Sequence, residues 1–296
     1  MPAPPPSDEF FLDPRAVRRS FDAASATFDA AAAVHAEIRA RLLERLDVVR
    51  LDPAVVIDLG AGTGHASRAL LDRYSSAHVV AMDLSPRMLV EARRQQRLFR
   101  RFSRVATDAR RLSLRDSSVD LVFSNLMLQW CSSPDEVFAE ARRVLRANGL
   151  LTFAALGPDT LRELRTAWSH IDGYTHVHRF IDMHDLGDAM LRSGFADPVM
   201  DTERLTITYP GVDALLRELA DSGSGNVAMG RRRGLTGRAA AAKLRETYES
   251  FRRDGKVPAS LEVVYGHAWA VDRERRPGAA SGERRIPLSS IGRRRS

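Results

Sequence analysis

Three glycines interrupt an apolar run in VVIDLGAGTGHASRALL, residues 55–71. They stand between a buried-strand pattern and an amphipathic-helix pattern, which lets the backbone approach a ligand at the helix N-terminus. A dinucleotide-binding turn, G-x-G-x-x-G, needs glycine at position 65, where this chain has His65. The spacing is instead G-x-G-x-G, preceded by Asp58. The three glycines are Gly60, Gly62 and Gly64.

Two further acidic residues follow later apolar runs. Asp83 ends the second run, at a distance from the glycine turn where a carboxylate can accept hydrogen bonds from both ribose hydroxyls. Asp108 follows the third run and could hold an adenine amino group. The three acids and the glycine turn therefore predict a site for a nucleoside-containing ligand at one edge of a sheet.

The elements that must position these residues alternate along the chain. Five short apolar runs are continuous rather than alternating in polarity, which is typical of parallel strands covered on both faces. Helical patterns fill the gaps between them, so a right-handed βαβ series is expected. The strands are predicted at 54–59, 78–84, 103–108, 119–124 and 150–156, and the helices at 65–74, 86–98, 134–146 and 158–169.

Two more strand patterns, 204–209 and 261–270, follow and could close the sheet as a hairpin. Residues 210–255 would then form a cap insertion near the ligand face, and a helical pattern from Asp13 to Val48 would form an N-terminal cap. The predicted fold class is α/β, a doubly wound and mostly parallel seven-stranded sheet in one domain, residues 14–270.

The composition of the chain indicates what to expect of its termini, its cysteine chemistry and its localisation. The leader, residues 1–13, is rich in proline, and the tail, residues 271–296, holds eight arginines against three acids, so most of the net charge of +7 lies there. Both segments are expected to be disordered. A lone cysteine, Cys131, excludes an intrachain disulfide and a thiolate zinc site. With no secretory leader and no run of 18 apolar residues, a cytoplasmic protein without a membrane partner is expected.

Four segments in this order resemble the class I S-adenosylmethionine-dependent methyltransferases: 58–64 (DLGAGTG), 81–85 (AMDLS), 107–130 and 142–157. The resemblance implies S-adenosylmethionine as cofactor, whose sulfonium carries no pyrophosphate and needs no cationic cradle. It places the glycine turn along the methionine moiety, Asp83 at the ribose, Asp108 at the adenine and Asn125 beside the sulfonium. The implied cofactor-binding residues are Asp58, Gly60, Gly62, Gly64, Asp83, Leu84, Asp108, Ala109 and Asn125.

Other segments narrow the resemblance. NLMLQWC (125–131), LGPDTLRELRTAW (156–168), the stretch 176–201 and the entry 21–38 are similar to the malonyl-acyl-carrier-protein O-methyltransferases of biotin biosynthesis. The similarity covers about residues 16–270. It implies an enzyme that methylates the free carboxylate of a malonyl thioester, carried by acyl carrier protein or coenzyme A, to give the malonyl methyl ester.

This chemistry requires few catalytic groups. A carboxylate with a pKa near ~4 is already ionised at neutral pH, so no general base is expected. The carboxylate must be paired when its water is removed, and Arg179 in HVHRF is the candidate bidentate clamp, unless it only packs at the start of the following helix. Expected walls of the acceptor pocket are Phe28, which stands where relatives commonly carry tyrosine, Trp130 and Phe180.

Four histidines lie within fifteen residues. Their H-x-H spacing lacks a helical i, i+4 pair, so no metal site is expected and the side chains are instead predicted to line the entrance to the acceptor cavity. They are His170, His176, His178 and His184.

A basic surface is expected to dock the acidic carrier protein. The segment 230–238 (GRRRGLTGR) is favoured because the insertion should lie over the ligand edge, whereas the arginines of 92–104 are interpreted as solvated surface. The predicted docking residues are Arg231, Arg232, Arg233 and Arg238.

Two other functions compete. Residues 202–226 and 256–270 also resemble complex I assembly factors associated with arginine hydroxylation, although HVHRF and LQWC favour the methyltransferase. Nucleic-acid methylation is disfavoured, because amino-methylating enzymes place P-P-aromatic after Asn or Asp and Asn125 is followed by Leu126 and Met127. Removal of 271–296 is therefore expected to leave activity unchanged.

Overall fold

A computed structural model describes residues 11–231, 234 and 236–271. Seven strands in this part of the chain form one sheet in the order β3-β2-β1-β4-β5-β7-β6. Strand β7 is antiparallel to both neighbours, and the other pairs are parallel, which confirms the predicted fold class. The strands are β1 Val55–Leu59, β2 His78–Asp83, β3 Ser103–Ala106, β4 Val119–Asn125, β5 Leu145–Leu156, β6 Phe195–Tyr209 and β7 Val257–Ala270.

Capping residues define where several helices begin. Asp13, Ser85 and Ser133 each precede a proline, and each side chain accepts a hydrogen bond from a backbone N–H of the first helical turn. Asp182 caps a fourth helix in the same way. The helices are α1 Pro14–Ala24, α2 Phe28–Ala31, α3 Ala33–Glu44, α4 His65–Arg73, α5 Pro86–Ala92, α6 Pro134–Val144, α7 Arg162–Ser169, α8 Met183–Arg192, α9 Val212–Asp221 and α10 Arg238–Glu249.

The sheet is buried on both faces because residues of its inner strands alternate between two apolar clusters. On β1, Ile57 packs with α6 and α8, and Val56 packs with α3, α4 and α5. A third cluster joins α7, α9 and α10 to the ends of β6 and β7, around Trp168 and Tyr248. This third cluster forms a cap beside the carboxyl edge of the sheet.

The N-terminal helical pattern is not one helix. The chain turns after Ala24 and again at Ala32, and a 3₁₀ turn, Arg45–Val48, ends the segment. Thr27 holds the first turn, since its hydroxyl donates to the carbonyl of Asp221 at 2.7 Å. Helix α1 lies against α5, α2 lies against α9, and α3 packs on the sheet, so the segment crosses the carboxyl edge instead of running straight.

Other predicted boundaries also differ. The helix expected at 86–98 ends at Ala92 and continues as a 3₁₀ turn, and the helix expected at 158–169 begins only at Arg162 because Leu161 adopts a left-handed φ of 55°. The prediction of a disordered leader is wrong for residues 11–13, because buried Leu12 pairs with Ala228. Residues 1–10 and 272–296 lie outside the described residues.

The cap insertion does cover the ligand edge. Val227 and Ala228 pack with α1 and against Leu84 and Trp130. None of the helices in the described part of the chain is long and apolar enough to span a bilayer.

Candidate functional site

Two cavities lie at the carboxyl edge of the sheet. The first, here called the edge cavity, opens between the ends of β1 and β4, where the strand order reverses and open α/β sheets bind their ligands. Its lining includes Gly60, Asp83, Asp108 and Asn125. The second, here called the cap cavity, lies between β5 and the helices α7 and α9.

Glycine is required for a different structural reason at each of the three positions of the turn. Gly60 has φ 79°, and a Cβ there would lie 2.4 Å from the Cβ of Met127. Gly62 has φ 53° with open space around it. Gly64 has φ 82° and packs against Ala92 and Phe102 at the start of α4. Only Gly60 and Gly62 line the edge cavity, so Gly64 serves the packing of a helix.

Asp83 connects β2 to the turn. Its Oδ2 accepts from the backbone N–H of Gly62 at 2.8 Å, and its Oδ1 accepts from that of Ser85 at 2.7 Å. Burial raises the pKa of Asp83 to about 6, although these hydrogen bonds oppose the shift. Asp83 lines the edge cavity, and each of its carboxylate oxygens has capacity for a further hydrogen bond, which suits a ligand with adjacent hydroxyl donors.

Asp58 lies deeper than the resemblance implies. It is 1% exposed and does not line the edge cavity. Its Oδ2 accepts from the hydroxyl of Ser67 at 2.5 Å, whereas Oδ1 is buried without a hydrogen-bond partner among the described residues. Burial raises the pKa of Asp58 to about 7, and the guanidinium of Arg39 on α3 acts in the opposite direction.

Asp108 is held by a residue that the sequence analysis missed. The guanidinium of Arg110 donates to both carboxylate oxygens, with Nη2 2.7 Å from Oδ2. This contact lowers the pKa of Asp108 and keeps the carboxylate ionised. Both residues line the edge cavity together with Ala109 and Leu84. Asp108 therefore lies at the predicted site, and Arg110 fixes the orientation of its carboxylate.

The N-terminal helices cover the edge cavity and are tied to its loops. Asp22 on α1 accepts from the hydroxyl of Ser85 at 2.6 Å, and Asp29 on α2 accepts from that of Thr63 at 2.6 Å. Phe28 lines this edge cavity and is not among the residues lining the cap cavity. The break between α1 and α3 places α2 over the glycine turn, and the expectation that Phe28 forms an acceptor wall stays a prediction.

Three residues line both cavities, so the cavities adjoin there: His35, Leu126 and Trp130. The place where these three residues bring the two cavities side by side is here called the passage. Leu126 has a left-handed φ of 54°, a strained conformation of the kind that clusters at functional sites. Asn125, one residue earlier, donates to the carbonyl of His35 at 3.2 Å, and its Oδ1 is buried without a partner in the described chain.

The cap cavity is mostly apolar but carries buried polar atoms. Nδ1 of His35, Oε1 of Gln129 and Nε2 of His178 have no hydrogen-bond partner among the described residues. Burial lowers the pKa of both histidines to about 4, with a smaller contribution from Arg39 at His35 and from Arg165 at His178. Both imidazoles are therefore neutral near pH 7.

The other predicted acceptor residues lie at two different cavities. Trp130 and Phe180 line the cap cavity, and their role as acceptor walls stays a prediction. Arg179 is exposed and lines a separate small cavity beside Gln129 and Phe180, so the structure does not bring it to the passage and its role as a clamp stays a prediction.

The histidines do not act as one group. His176 and His178 line the cap cavity, whereas His170 and His184 are exposed and do not. His176 stacks on Trp168 with ring centroids 3.6 Å apart and contacts Asp172 at 2.7 Å. Within the described ranges, no three His, Cys, Asp or Glu side chains are grouped so that they could hold a metal ion.

Of the predicted docking residues, Arg231 lines a surface groove with Phe11, Arg19, Arg110 and Met229. Arg238 is the first residue of α10 and is exposed. The remaining two, Arg232 and Arg233, lie outside the described residues.

Sequence reasoning missed several residues of the site. Each of the three residues lies inside a segment already singled out: His35 in 21–38, Arg110 in 107–130 and Gln129 in NLMLQWC. Within those segments nothing in the sequence distinguished these residues from their neighbours.

Comparisons with known proteins agree with this geometry. A methyltransferase-domain family model matches residues 57–153. A malonyl-[acyl-carrier protein] O-methyltransferase of Laribacter hongkongensis is 50% identical over 271 residues, 89% of this chain and 91% of the relative. Malonyl-[acyl-carrier protein] O-methyltransferase 1 of Coxiella burnetii is 40% identical over 290 residues, 98% of this chain and 99% of the relative.

A solved structure supports the fold. A SAM-dependent methyltransferase of Thermotoga maritima superposes with a TM-score of 0.52 at 15% identity, covering 86% of this chain and 99% of that one. The comparisons give no support to a complex I assembly factor. From the sequence relatives, which match nearly end to end, the chain belongs to the malonyl-[acyl-carrier protein] O-methyltransferase family.

Proposed function

We propose that the protein transfers a methyl group from S-adenosylmethionine to the free carboxylate of a malonyl thioester on acyl carrier protein. The observation that carries this proposal is that the edge cavity and the cap cavity adjoin at His35, Leu126 and Trp130. A methyl donor in one cavity and an acceptor in the other would meet at this place. The malonyl methyl ester produced would serve the start of biotin synthesis.

The edge cavity fits the donor. Asp83 offers acceptor lone pairs for a ribose diol, and Asp108 and Ala109 flank the place for an adenine. Gly60 leaves the space that a side chain would fill, and the buried carboxyl of Asp58 would lie beneath the methionine moiety. These contacts involve no basic phosphate cradle, in agreement with a sulfonium compound.

The reaction needs alignment rather than proton transfer. S-adenosylmethionine supplies an electrophilic methyl carbon, to which the carboxylate oxygen bonds while the electron pair of the broken S–C bond stays on sulfur. A carboxylate with a reference pKa of ~4 arrives ionised, so the chain needs no general base. Trp130 and Leu126 are apolar side chains that line both cavities, and they would help to align the two reactants.

The carrier is the proposed macromolecular partner. Arg231 and Arg238, with Arg232 and Arg233, would contact its acidic surface, and Arg179 would contact the malonyl carboxylate as it enters. We also infer that the protein acts in the cytoplasm and without nucleic acid.

One acceptor screen tests the proposal. Purified protein is incubated with labelled S-adenosylmethionine and malonyl, succinyl or longer diacid thioesters on carrier protein and on coenzyme A. We expect label in malonyl carrier protein, removable by ester hydrolysis. A peptide from a complex I subunit serves as the alternative substrate. Modification of that peptide, with none of the malonyl thioester, would overturn the proposal.

A further inference from the structure

The N-terminal helices form one wall of the edge cavity. Residues 14–35, here called the cover, contribute apolar side chains and one histidine to this wall. The cover therefore offers a bound nucleoside contact area but few directed hydrogen bonds, and what fastens it to the loops of the sheet decides how firmly it encloses the ligand. The lining residues of the cover are Pro14, Val17, Phe21, Phe28 and His35.

Two carboxylates fasten the cover, and they reach two different loops. Asp22 on α1 accepts a hydrogen bond at 2.6 Å from the hydroxyl of Ser85, which begins α5 after β2. Asp29 on α2 accepts one at 2.6 Å from the hydroxyl of Thr63 in the glycine turn, and its other oxygen lies 3.3 Å from Nε2 of His65. Hydrogen bonds to a charged oxygen are stronger than those between neutral groups, so both contacts are suited to hold the cover in place.

Asp83 joins the same two loops. Its carboxylate accepts hydrogen bonds from the backbone N–H groups of Gly62 and Ser85. Gly62 adjoins Thr63 in the chain, and Ser85 donates its hydroxyl hydrogen to Asp22. The acid that lines the cofactor cavity therefore lies in the middle of a chain of contacts whose two ends are on the cover.

We propose that Asp22 and Asp29 are positioning residues of the cofactor site, which act through Ser85 and Thr63 to hold the cover over S-adenosylmethionine. A ligand bound to Asp83 fixes the two loops, and the loops present their hydroxyls to the two carboxylates. Cofactor binding and closure of the cover therefore favour one another, because linkage is reciprocal. This inference rests on the cofactor of the proposed function and not on its acceptor.

The cover has other attachments, which remain when either carboxylate is removed. The hydroxyl of Ser20 donates to the carbonyl of Gly223 at 3.0 Å, and that of Thr27 donates to the carbonyl of Asp221 at 2.7 Å. Both carbonyls belong to the cap insertion, and α3 packs on the sheet. Loss of one carboxylate should therefore loosen the cover over the edge cavity without detaching it from the protein.

The two contacts should differ in strength. The side chain of Asp22 is 22% exposed, whereas that of Asp29 is 50% exposed. Water competes more effectively for the hydrogen bonds of an exposed carboxylate. The contact between Asp22 and Ser85 is therefore expected to hold the cover more firmly than the contact between Asp29 and Thr63.

The test measures how fast S-adenosylhomocysteine leaves the full-length protein. Protein loaded with the labelled ligand is mixed with an excess of unlabelled ligand, and the label that remains bound is followed with time. Asp22→Ala should release it ~10-fold faster than the wild type and Asp29→Ala ~3-fold faster. Asp22→Asn and Asp29→Asn keep an oxygen acceptor and should restore slow release. Glu37→Ala removes an exposed acid of α3 that lines neither cavity, and this control should release the ligand as the wild type does.

Substitutions of the donor leave the cover itself unaltered. Thr63→Ser keeps the hydroxyl and should release S-adenosylhomocysteine at the wild-type rate. Thr63→Val replaces the hydroxyl by a methyl group of similar size and should release it as fast as Asp29→Ala. Because these two changes remove the same hydrogen bond, the double variant should release the ligand no faster than either single variant. If the alanine variants do not fold, the comparison of Thr63→Ser with Thr63→Val decides.

The association rate distinguishes a loosened cover from a damaged site. A loosened cover should let S-adenosylhomocysteine enter at the wild-type rate or faster, whereas distorted loops would slow its entry. Slower entry in Asp22→Ala and Thr63→Val would therefore overturn the proposal. So would a wild-type release rate in these two variants, even if their free energy of unfolding is lower, because the contacts would then serve packing alone. None of these results affects the proposed function, which fails only if the wild-type protein does not methylate malonyl carrier protein.

Discussion

The carboxylate of Asp83 holds the glycine turn directly, because its Oδ2 accepts a hydrogen bond from the backbone N–H of Gly62 at 2.8 Å. One side chain thus fixes the turn and presents acceptors to the edge cavity. Removing it should disturb the ligand site twice, once through the lost acceptors and once through the loosened turn.

Asp83→Ala should therefore weaken binding of S-adenosylhomocysteine by about 100-fold, since hydrogen bonds to charged groups contribute ~1.5–3 kcal/mol each. Isothermal titration calorimetry measures this change. Asp116→Ala, an exposed acid before β4 at the opposite edge of the sheet, is the control and should bind normally. Wild-type affinity in Asp83→Ala would show that the carboxylate does not hold the cofactor.

Cofactor affinity should also depend on pH. Burial raises the pKa of Asp58 to about 7 and that of Asp83 to about 6, so both carboxyls take up protons as the pH falls through these values. A protonated carboxyl accepts hydrogen bonds poorly, and affinity should fall with decreasing pH. Calorimetry across this range measures the slope. Asp83→Asn should have a shallower slope, and a flat wild-type profile would contradict the assignment.

The glycine turn offers a matched comparison. Gly60→Ala combines a left-handed φ of 79° with a Cβ only 2.4 Å from that of Met127, whereas Gly62→Ala has the φ cost without a clash. We expect Gly62→Ala to lower the free energy of unfolding by ~1 kcal/mol, and Gly60→Ala by ~2–4 kcal/mol, since overpacking adds to the backbone cost. Urea denaturation measures both. Equal losses would mean that Met127 moves aside freely.

The sheet could be predicted from the sequence because parallel strands that are covered on both faces are continuous apolar runs. Asp83 and Asp108 could be identified because each follows such a run. Arg110 could not be predicted from the sequence, because it approaches Asp108 through local turn geometry. His35 could not be predicted either, because it lies at the passage only as a result of the turns that separate α1 from α3.

Arg179 shows the converse. Its motif was visible in the sequence, but the structure places it beside a small cavity and not at the passage, since motif position does not fix where a side chain packs.

Arg179→Ala distinguishes a clamp for the malonyl carboxylate from a side chain that only packs at the start of the following helix. If the guanidinium guides the malonyl carboxylate on entry, the KM for malonyl carrier protein should rise ~10-fold while the affinity for S-adenosylhomocysteine stays unchanged. Arg179→Lys keeps the charge without the bidentate geometry, so its KM for malonyl carrier protein should lie between those of the wild type and Arg179→Ala. Steady-state kinetics with calorimetry measure both quantities. An unchanged KM would remove the clamp and leave the cofactor site unaffected.

Carrier docking can be separated from chemistry by using two forms of the substrate. Arg231 and Arg238 are proposed to contact an acidic protein surface, and malonyl pantetheine offers neither that surface nor the phosphates of coenzyme A. Reversing charge in Arg231→Glu or Arg238→Glu should therefore raise the KM for malonyl carrier protein ~10-fold at low salt, with little change for malonyl pantetheine.

The salt dependence provides the decisive readout, because screening should reduce the difference between variant and wild type as ionic strength rises. Arg97→Glu reverses a charge in the other basic stretch, 92–104, which is interpreted as solvated surface, and should resemble wild type. If Arg97→Glu impairs the carrier substrate while the two insertion variants do not, the carrier docks beside α5. Equal losses with both thioesters would instead mean that the arginines support folding of the cap, because a docking contact cannot alter turnover of a substrate that lacks the carrier.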